Sequence, residues 1–476
     1  MNPNTSRKFG QEQIESGANQ MKSVIGRKTR SDRTKALLVL ASAAGVALLL
    51  SGCGTSTTPF SEPAPGSNTA ARGIVLGGQQ PVAFSNLQLY TVGSGSYGAA
   101  ASTFGPAFQT NASGYFNFPT YTCPGSNPEV FLVGTGGTPI SGSSNANLAL
   151  IAGLGPCNGV PSIPFITLNE LTTVATVWSL SGFMTGPTNI GAPTTNASGL
   201  ANAFAAINKV VNIQTGAASG PALPAGATLP STEINALGNI LQNCINSAGG
   251  SASDTTDGHT NGTPCGKLFY LTNISTAPTD TITAALNIAH RPSADVAYLN
   301  DLQASSPAFL PALNVNSPPT DWTIAINYVG GGLTKPQTIA VDASGNVWAT
   351  NPTGNSITEL NNTGAAISTS SGFTAGGTLN APYGVAIDQN GYAWIANSGN
   401  NTITRLAPGG TSYADYQNNG LNTPKGIAID GADDVWVTNS GNNTLSAFTN
   451  TGAALASSPY SGGGLNAPTS IAIDPK

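Results

Sequence analysis

The sequence predicts a multidomain, mainly β protein in three folded parts: an N-terminal β-sandwich, an α-helical middle module and a C-terminal array of β-repeats that stops short of a closed ring. Three observations lead there. Short alternating apolar bursts are punctuated by turn residues, which 58 Gly and 33 Pro supply. Between residues 163 and 312 the apolar spacing becomes helical. After residue 335 the phrase P-x-x-I/V-A-I/V-D occurs four times.

At 476 residues the chain has room for about two to four domains. Charged residues make up 8% of it, against roughly 25% in an average soluble protein. With 39% hydrophobic residues in patterned bursts, this is a folding chain and not a charge-solvated tail. Residues 1–52 hold eight Lys/Arg and three Asp/Glu, a net of +5, and the remainder holds eight and eighteen, a net of −10. Beyond residue 52 there is no basic footprint, so nucleic acid is not expected as a partner.

The N-terminus reads as an export signal. Lys22, Arg27, Lys28, Arg30, Arg33 and Lys35 make a positive region, and Ala36 to Leu50 make an apolar stretch of fifteen residues. A membrane span needs about 20, whereas a signal-peptide core suits this length. Met21 is an alternative start. Leu50-Ser51-Gly52-Cys53 resembles the lipobox of bacterial lipoproteins. That resemblance implies cleavage before Cys53, acylation of its thiol and of the new amino terminus, and anchorage to a membrane by several acyl chains. Gly54, not Asp, follows Cys53, so the outer membrane or cell surface is expected rather than the inner membrane. Residues 1–52 are assigned to the signal peptide and 53–70, rich in Ser, Thr, Pro and Gly, to a flexible tether.

Residues 71–160 are expected to form the sandwich. "GIVLGG", "NLQLYTV", "GYFNFPTY" and "EVFLVGTGG" are its alternating runs. Their layout resembles the carboxypeptidase-regulatory or transthyretin-like family of Ig-type sandwiches, which implies a spacer or adhesion module. Residues 163–312 form the helical module. Thr167 stands three residues before Glu170, a capping-box pattern. Leu171, Val174, Val177 and Trp178 share one helical face; Leu200, Phe204, Ile207 and Val211 share another, and Ile234, Leu237, Leu241 and Cys244 a third. Two further helical segments end near His290 and Leu302. Four cysteines remain after Cys53, an even number in an exported chain. Proximity favours the disulfides Cys123–Cys157 and Cys244–Cys265.

Residues 322–476 hold three full repeats and part of a fourth. Proline recurs at Pro336, Pro382, Pro424 and Pro468, giving periods of 46, 42 and 44. Asp342, Asp388, Asp430 and Asp474 keep the same spacing, followed by Trp348, Trp394 and Trp436 and by Asn351, Asn397 and Asn439. The repeats resemble NHL repeats, especially the propeller family that includes streptogramin lyases. This implies an incomplete NHL-type β-propeller whose units must stack to bury their faces. The final "LNAPTSIAIDPK" reads as the first strand of a fourth unit. The chain is therefore expected to be a shortened form of a longer propeller, or one that a second copy completes. "WTIAINYV", Trp322 to Val329, has the alternation of a closing strand.

Streptogramin lyases use a histidine-based apparatus with a metal ion. The only histidines here, His259 and His290, both precede the repeats. No catalysis, cofactor or metal is therefore expected. Asp254, Asp257 and His259 lie close together, but on a Gly-rich loop that makes a poor preformed site. His290 is expected to cap a helix C-terminus. The repeated Asp residues are expected to shape turns rather than bind calcium, and the Trp residues to pack between blades. The leading expectation is a lipid-anchored binding scaffold for a protein, glycan or small molecule. The alternatives are a propeller-type lyase or hydrolase with its catalytic residues in further blades, and a structural or adhesion component of the envelope.

Overall fold

The computed structural model describes residues 72–139 and 143–474. All described residues lie in one compact unit, Pro65–Lys476. It is mainly β, with several antiparallel sheets and a set of helices, and no closed barrel forms among the described residues.

Two sheets lie in the first part. In one, Arg72–Gly77 pairs with Gln80–Ala83 and Tyr115–Asn117, and runs parallel to Ile166–Leu168. The other has the order Ser102–Gln109, Asn86–Thr91, Glu129–Thr135, Ala149–Pro156, all antiparallel. Ala149–Pro156 is a continuous apolar run because both of its faces are covered.

Six α-helices follow: α1 Glu170–Leu180, α2 Ala197–Val210, α3 Ser231–Ile245, α4 Pro264–Leu271, α5 Thr281–His290 and α6 Val296–Asp301. Helices α1, α2 and α5 pack on Ala149–Pro156. Gly153 permits the approach of α2, since a β-carbon there would collide with Ile207 and crowd Phe204. The hydroxyls of Thr173 and Thr176 on α1 accept the Ile151 and Gly153 amides of the same strand at 3.1 and 3.0 Å. One apolar cluster runs from Val75 through Leu132, Ile151, Val174 and Leu241 to Trp322. The boundary expected near residues 160–163 therefore does not coincide with a break in the core.

Two local expectations are corrected. Thr167 is not the cap of α1. Its strand, Ile166–Leu168, is taken by pairing with Gly73–Val75, so the helix begins later. Asn169 is the cap: its side chain accepts the Thr172 amide while the Thr172 hydroxyl accepts the Asn169 amide. Trp322 to Val329 forms no blade strand. The Trp322 indole is buried in the helical core, its carbonyl accepts Trp178 Nε1 at 2.8 Å, and only Asn327 makes a bridge, to Thr228.

Three antiparallel blades complete the described chain. Their first three strands are Ile339–Val341, Val347–Asn351 and Ser356–Leu360; Pro382–Ile387, Ala393–Asn397 and Thr402–Leu406; and Pro424–Ile429, Val435–Asn439 and Thr444–Phe448. Tyr413–Gln417 and Tyr460–Ser461 add a fourth strand to the second and third blades. Each unit spans 28 residues from its Leu-x-x-Pro leucine to the end of its third strand (333–360, 379–406 and 421–448). The connecting stretches 361–378, 407–420 and 449–464 hold 18, 14 and 16 residues, so all the variation in period lies there. Residues 466–474, expected as the first strand of a fourth unit, form no ladder, although Ser470 lies against Gly426. Ile339 is 68% exposed, whereas its equivalents Val385 and Ile427 are each 8% exposed beneath the preceding blade's Trp.

Candidate functional site

Each blade is built around the same Asp–Trp pair. Asp388 Oδ1 accepts the amides of Asn390 and Tyr392 at 3.0 and 2.9 Å, which closes the turn, and Oδ2 accepts Trp394 Nε1 at 3.0 Å. Asp430 does the same with Ala432, Asp434 and Trp436, and Asp342 with Ser344, Asn346 and Trp348. The carboxylates are spent on the turn and the indole. Trp348 and Trp394 are fully buried between blades, and Trp436 is half-buried. Each Trp meets one aromatic residue from its connecting stretch: Phe373, Tyr416 or Tyr460, with ring centroids 6.4, 5.4 and 5.5 Å apart.

The repeated Asn residues have no exposed surface and act as internal ties. Asn397 Nδ2 donates to the hydroxyls of Thr402 and Thr404 at 3.0 and 2.8 Å; Asn439 bonds Thr444 and Ser446, and Asn351 bonds Ser356 and Thr358. Their Oδ1 atoms accept the amides of Thr334, Asn380 and Asn422, two residues before each repeated proline. Pro382 and Pro424 are buried, Pro468 half-buried and Pro336 exposed. The residue before each proline, Lys335, Ala381, Thr423 or Ala467, has φ between 43° and 49°. A second asparagine, four positions after the first, holds three of these strained residues from the neighbouring blade. Asn355 accepts the Ala381 amide at 2.8 Å, and Asn401 and Asn443 accept those of Thr423 and Ala467 at 2.7 Å. The fixed spacing of this second asparagine was legible in the sequence, as "TGNS" and "SGNNT", but was not singled out there.

The blades differ in charge at one position of the third strand. In the second, Arg405 pairs with Asp388 at 3.3 Å and lies over the Tyr392 ring at 3.6 Å. The first has Glu359 at the equivalent position. Burial pushes its carboxyl up from the ordinary range, nearby Asp342 adds to this, and Oε2 accepts the Gly409 amide of the second blade at 2.9 Å. Being 1% exposed, Glu359 ties two blades together and offers no face to a ligand.

Between the connecting stretches of these two blades lies an open groove of about 570 Å³, lined by residues 369–376 and 410–413 in part. No motif predicts it, because those stretches carry no period.

The remaining predicted residues lie elsewhere. Cys123–Cys157 and Cys244–Cys265 are both at disulfide distance. Cys53 lies outside the described residues. Asp474 is exposed at the end of the described chain. His259 stacks on Tyr298 at 4.4 Å. Asp257 holds its own loop: bonds from the Thr260 hydroxyl and from the His259 and Thr260 amides keep its carboxyl well below the usual range. Asp254 likewise accepts from Ser251 and Thr263. Among the described residues no group of three or more potential ligands is placed to hold a metal. His290 ends α5, and its ring contacts the Ser181 carbonyl at 3.0 Å. Away from the blades, Glu170 has no exposed surface. Its Oε1 accepts the Gly78 amide at 2.7 Å, Oε2 has no partner, and burial pushes the carboxyl up to about 8.

No family model matches the chain, and no curated protein matches it significantly. Among solved structures it is similar to virginiamycin B lyase from Staphylococcus aureus, at 21% identity and a TM-score of 0.25, over 30% of this chain and 46% of that one. A streptogramin B lyase matches at 21% identity, TM-score 0.25, over 30% and 45%. The extracellular domain of a hybrid two-component system from B. thetaiotaomicron matches at 18%, TM-score 0.23, over 31% and 19%. The chain thus spans less than half the length of these structures. The expectation that the chain is not an enzyme is corrected by this finding, since two of these structures are of enzymes, and it is not retained. At this identity and TM-score the likeness assigns no activity to the chain.

Proposed function

We propose that this chain is an exported, lipid-anchored bacterial envelope protein. In this reading its N-terminal sandwich and helices carry propeller blades that serve as a binding scaffold. The supporting observation is the division of labour in the blades. The repeated Asp, Trp and Asn side chains are consumed by internal bonds in a constant 28-residue frame, while length varies only in the connecting stretches. Such a frame carries specificity in its variable segments, as binding loops on rigid scaffolds do. The two cysteine pairs suit an oxidising compartment, and Leu50 to Cys53 supply the anchor.

The scaffold reading is tested by adding purified chain to envelope vesicles from cells that lack it. Saturable binding, competed by unlabelled chain, is expected; strictly linear uptake would overturn the reading. The anchor has a separate check. Cells fed labelled palmitate should label the wild-type chain and not Cys53→Ala, and persistent labelling of the variant would remove the lipid from the proposal.

A further inference from the structure

We infer that the groove between the connecting stretches of the first and second blades is a binding site for a neutral sugar. This rests on the reading of the blades as a binding scaffold and names the ligand class. The groove has aromatic walls, Phe373 and Tyr413, each set opposite a glycine. Gly376 has φ +64° and faces the Tyr413 ring, where a β-carbon would collide with Oη. Gly410 has φ +68° and faces the Phe373 ring, where a β-carbon would come within 2.5 Å. Both glycines therefore let an aromatic ring lie directly against the backbone, which sets Tyr413 and Phe373 in place as walls of the groove. Immediately before Gly376 the chain holds Ala375 at φ +46°, a strained conformation for a residue with a side chain.

The chemistry of the lining selects the ligand. No charged side chain lines the groove, so it offers nothing to pair with an ionic ligand. The nearest acid on the same stretch, Asp415, is taken up by the hydroxyls of Thr404 and Thr378 at 2.6 and 3.1 Å. Tyr413 is 47% exposed, and threonine and serine residues share the lining. A pyranose ring presents an apolar face of C–H groups and a rim of hydroxyls that both donate and accept. The first stacks on an aromatic ring, and the second bonds hydroxyl and peptide groups without any charge. The volume of about 570 Å³ falls in the range of small-molecule sites and holds two or three sugar rings. The groove also lies wholly within the stretches whose length differs between blades, which leaves the repeat frame undisturbed.

The test is titration of the full chain with cellohexaose, maltohexaose and chitohexaose, with a hexagalacturonate as the charged control, by calorimetry. At least one neutral hexasaccharide should bind, and the charged one should bind no tighter. Tyr413→Ala and Gly376→Val should each weaken that binding at least tenfold, while Tyr413→Phe, which keeps the stacking face, should lose only a few-fold. Unchanged circular dichroism and melting temperature in Tyr413→Ala exclude loss of the fold as the cause. If none of the three neutral sugars binds, or if Tyr413→Ala binds as wild type does, the assignment is overturned. Saturable binding to envelope vesicles that persists in Tyr413→Ala would overturn the sugar site while leaving the scaffold reading intact.

Discussion

Glu170 and Asn246 grip the same two-residue turn. Glu170 Oε1 accepts the Gly78 amide and Asn246 Nδ2 donates to the Gly77 carbonyl at 3.1 Å, while Glu170 Oε2 and Asn246 Oδ1 are both buried without a partner. A carboxyl at about 8 is protonated at neutral pH and supplies a donor among these acceptors. The shift comes from burial, offset by the amides of Glu170 and Gly78; no charged side chain adds to it, and Glu233 on α3 interacts with Asp321 instead. Because the folded-state value is raised, the stabilisation is complete below the unfolded value of 4.5 and is lost as pH rises through about 8. Melting temperature should therefore fall across that window. Glu129, pushed up to about 7 by burial, acts in the same direction. Glu170→Gln, which carries a permanent N–H, should flatten most of the decline; an unchanged pH profile in that variant would refute the assignment. The buried asparagines give a second check at this scale. Asn397→Ala removes the donor that ties Thr402 to Thr404 and leaves the Asn380 amide without its acceptor, and should cost about 1–3 kcal/mol in chemical denaturation.

At the scale of elements, what the sequence disclosed depended on whether a signal repeats. The Asp, Trp and Asn positions in the blades were readable because each residue type recurs at a fixed interval; the bonds from indole to Asp and from Asn to the strand hydroxyls were not, since spacing alone does not name a partner. The helical faces were readable for the same reason: Leu200, Phe204 and Ile207 on α2 and Ile234, Leu237 and Leu241 on α3 are all buried. The start of α1 was misplaced because Thr167 satisfies a local capping pattern but is captured by a distant partner strand, Arg72–Gly77, through Ile74↔Thr167 and its neighbours. That pairing is non-local and leaves no periodic trace. The groove escaped notice because aperiodic Gly, Ser and Thr stretches look alike whether or not they enclose a space. The Cys244–Cys265 bond staples the end of α3 to the start of α4 across 21 residues. Replacing both cysteines by serine should lower stability by about 3 kcal/mol, and the wild-type chain should show no free thiol from these positions in denaturant without reductant.

At the scale of the whole described chain, the cores differ in kind. One cluster unites two sheets and the helices, whereas the blades are held by smaller clusters between neighbours, one around Trp348 and one around Trp394. Stability in a stacked array is the sum of local and nearest-neighbour terms, so its members open separately. In hydrogen exchange, Glu129–Thr135, Ala149–Pro156 and α1 should share one high opening energy despite their different secondary structure. The second blade, covered on both sides, should exchange more slowly than the first, whose Ile339 and Val341 are exposed. Equal protection in all three blades would contradict this order.

The asparagine clamps at Asn355, Asn401 and Asn443 bear on how such a chain can diversify. Each fixes the start of the next unit from within the constant frame, so the angular step from blade to blade is set before the connecting stretch is consulted. Insertions and deletions there change what is displayed at the rim without changing the pitch of the array. A lineage, or an engineer, can thus rewrite the rim one stretch at a time and leave the register of every other blade as it was.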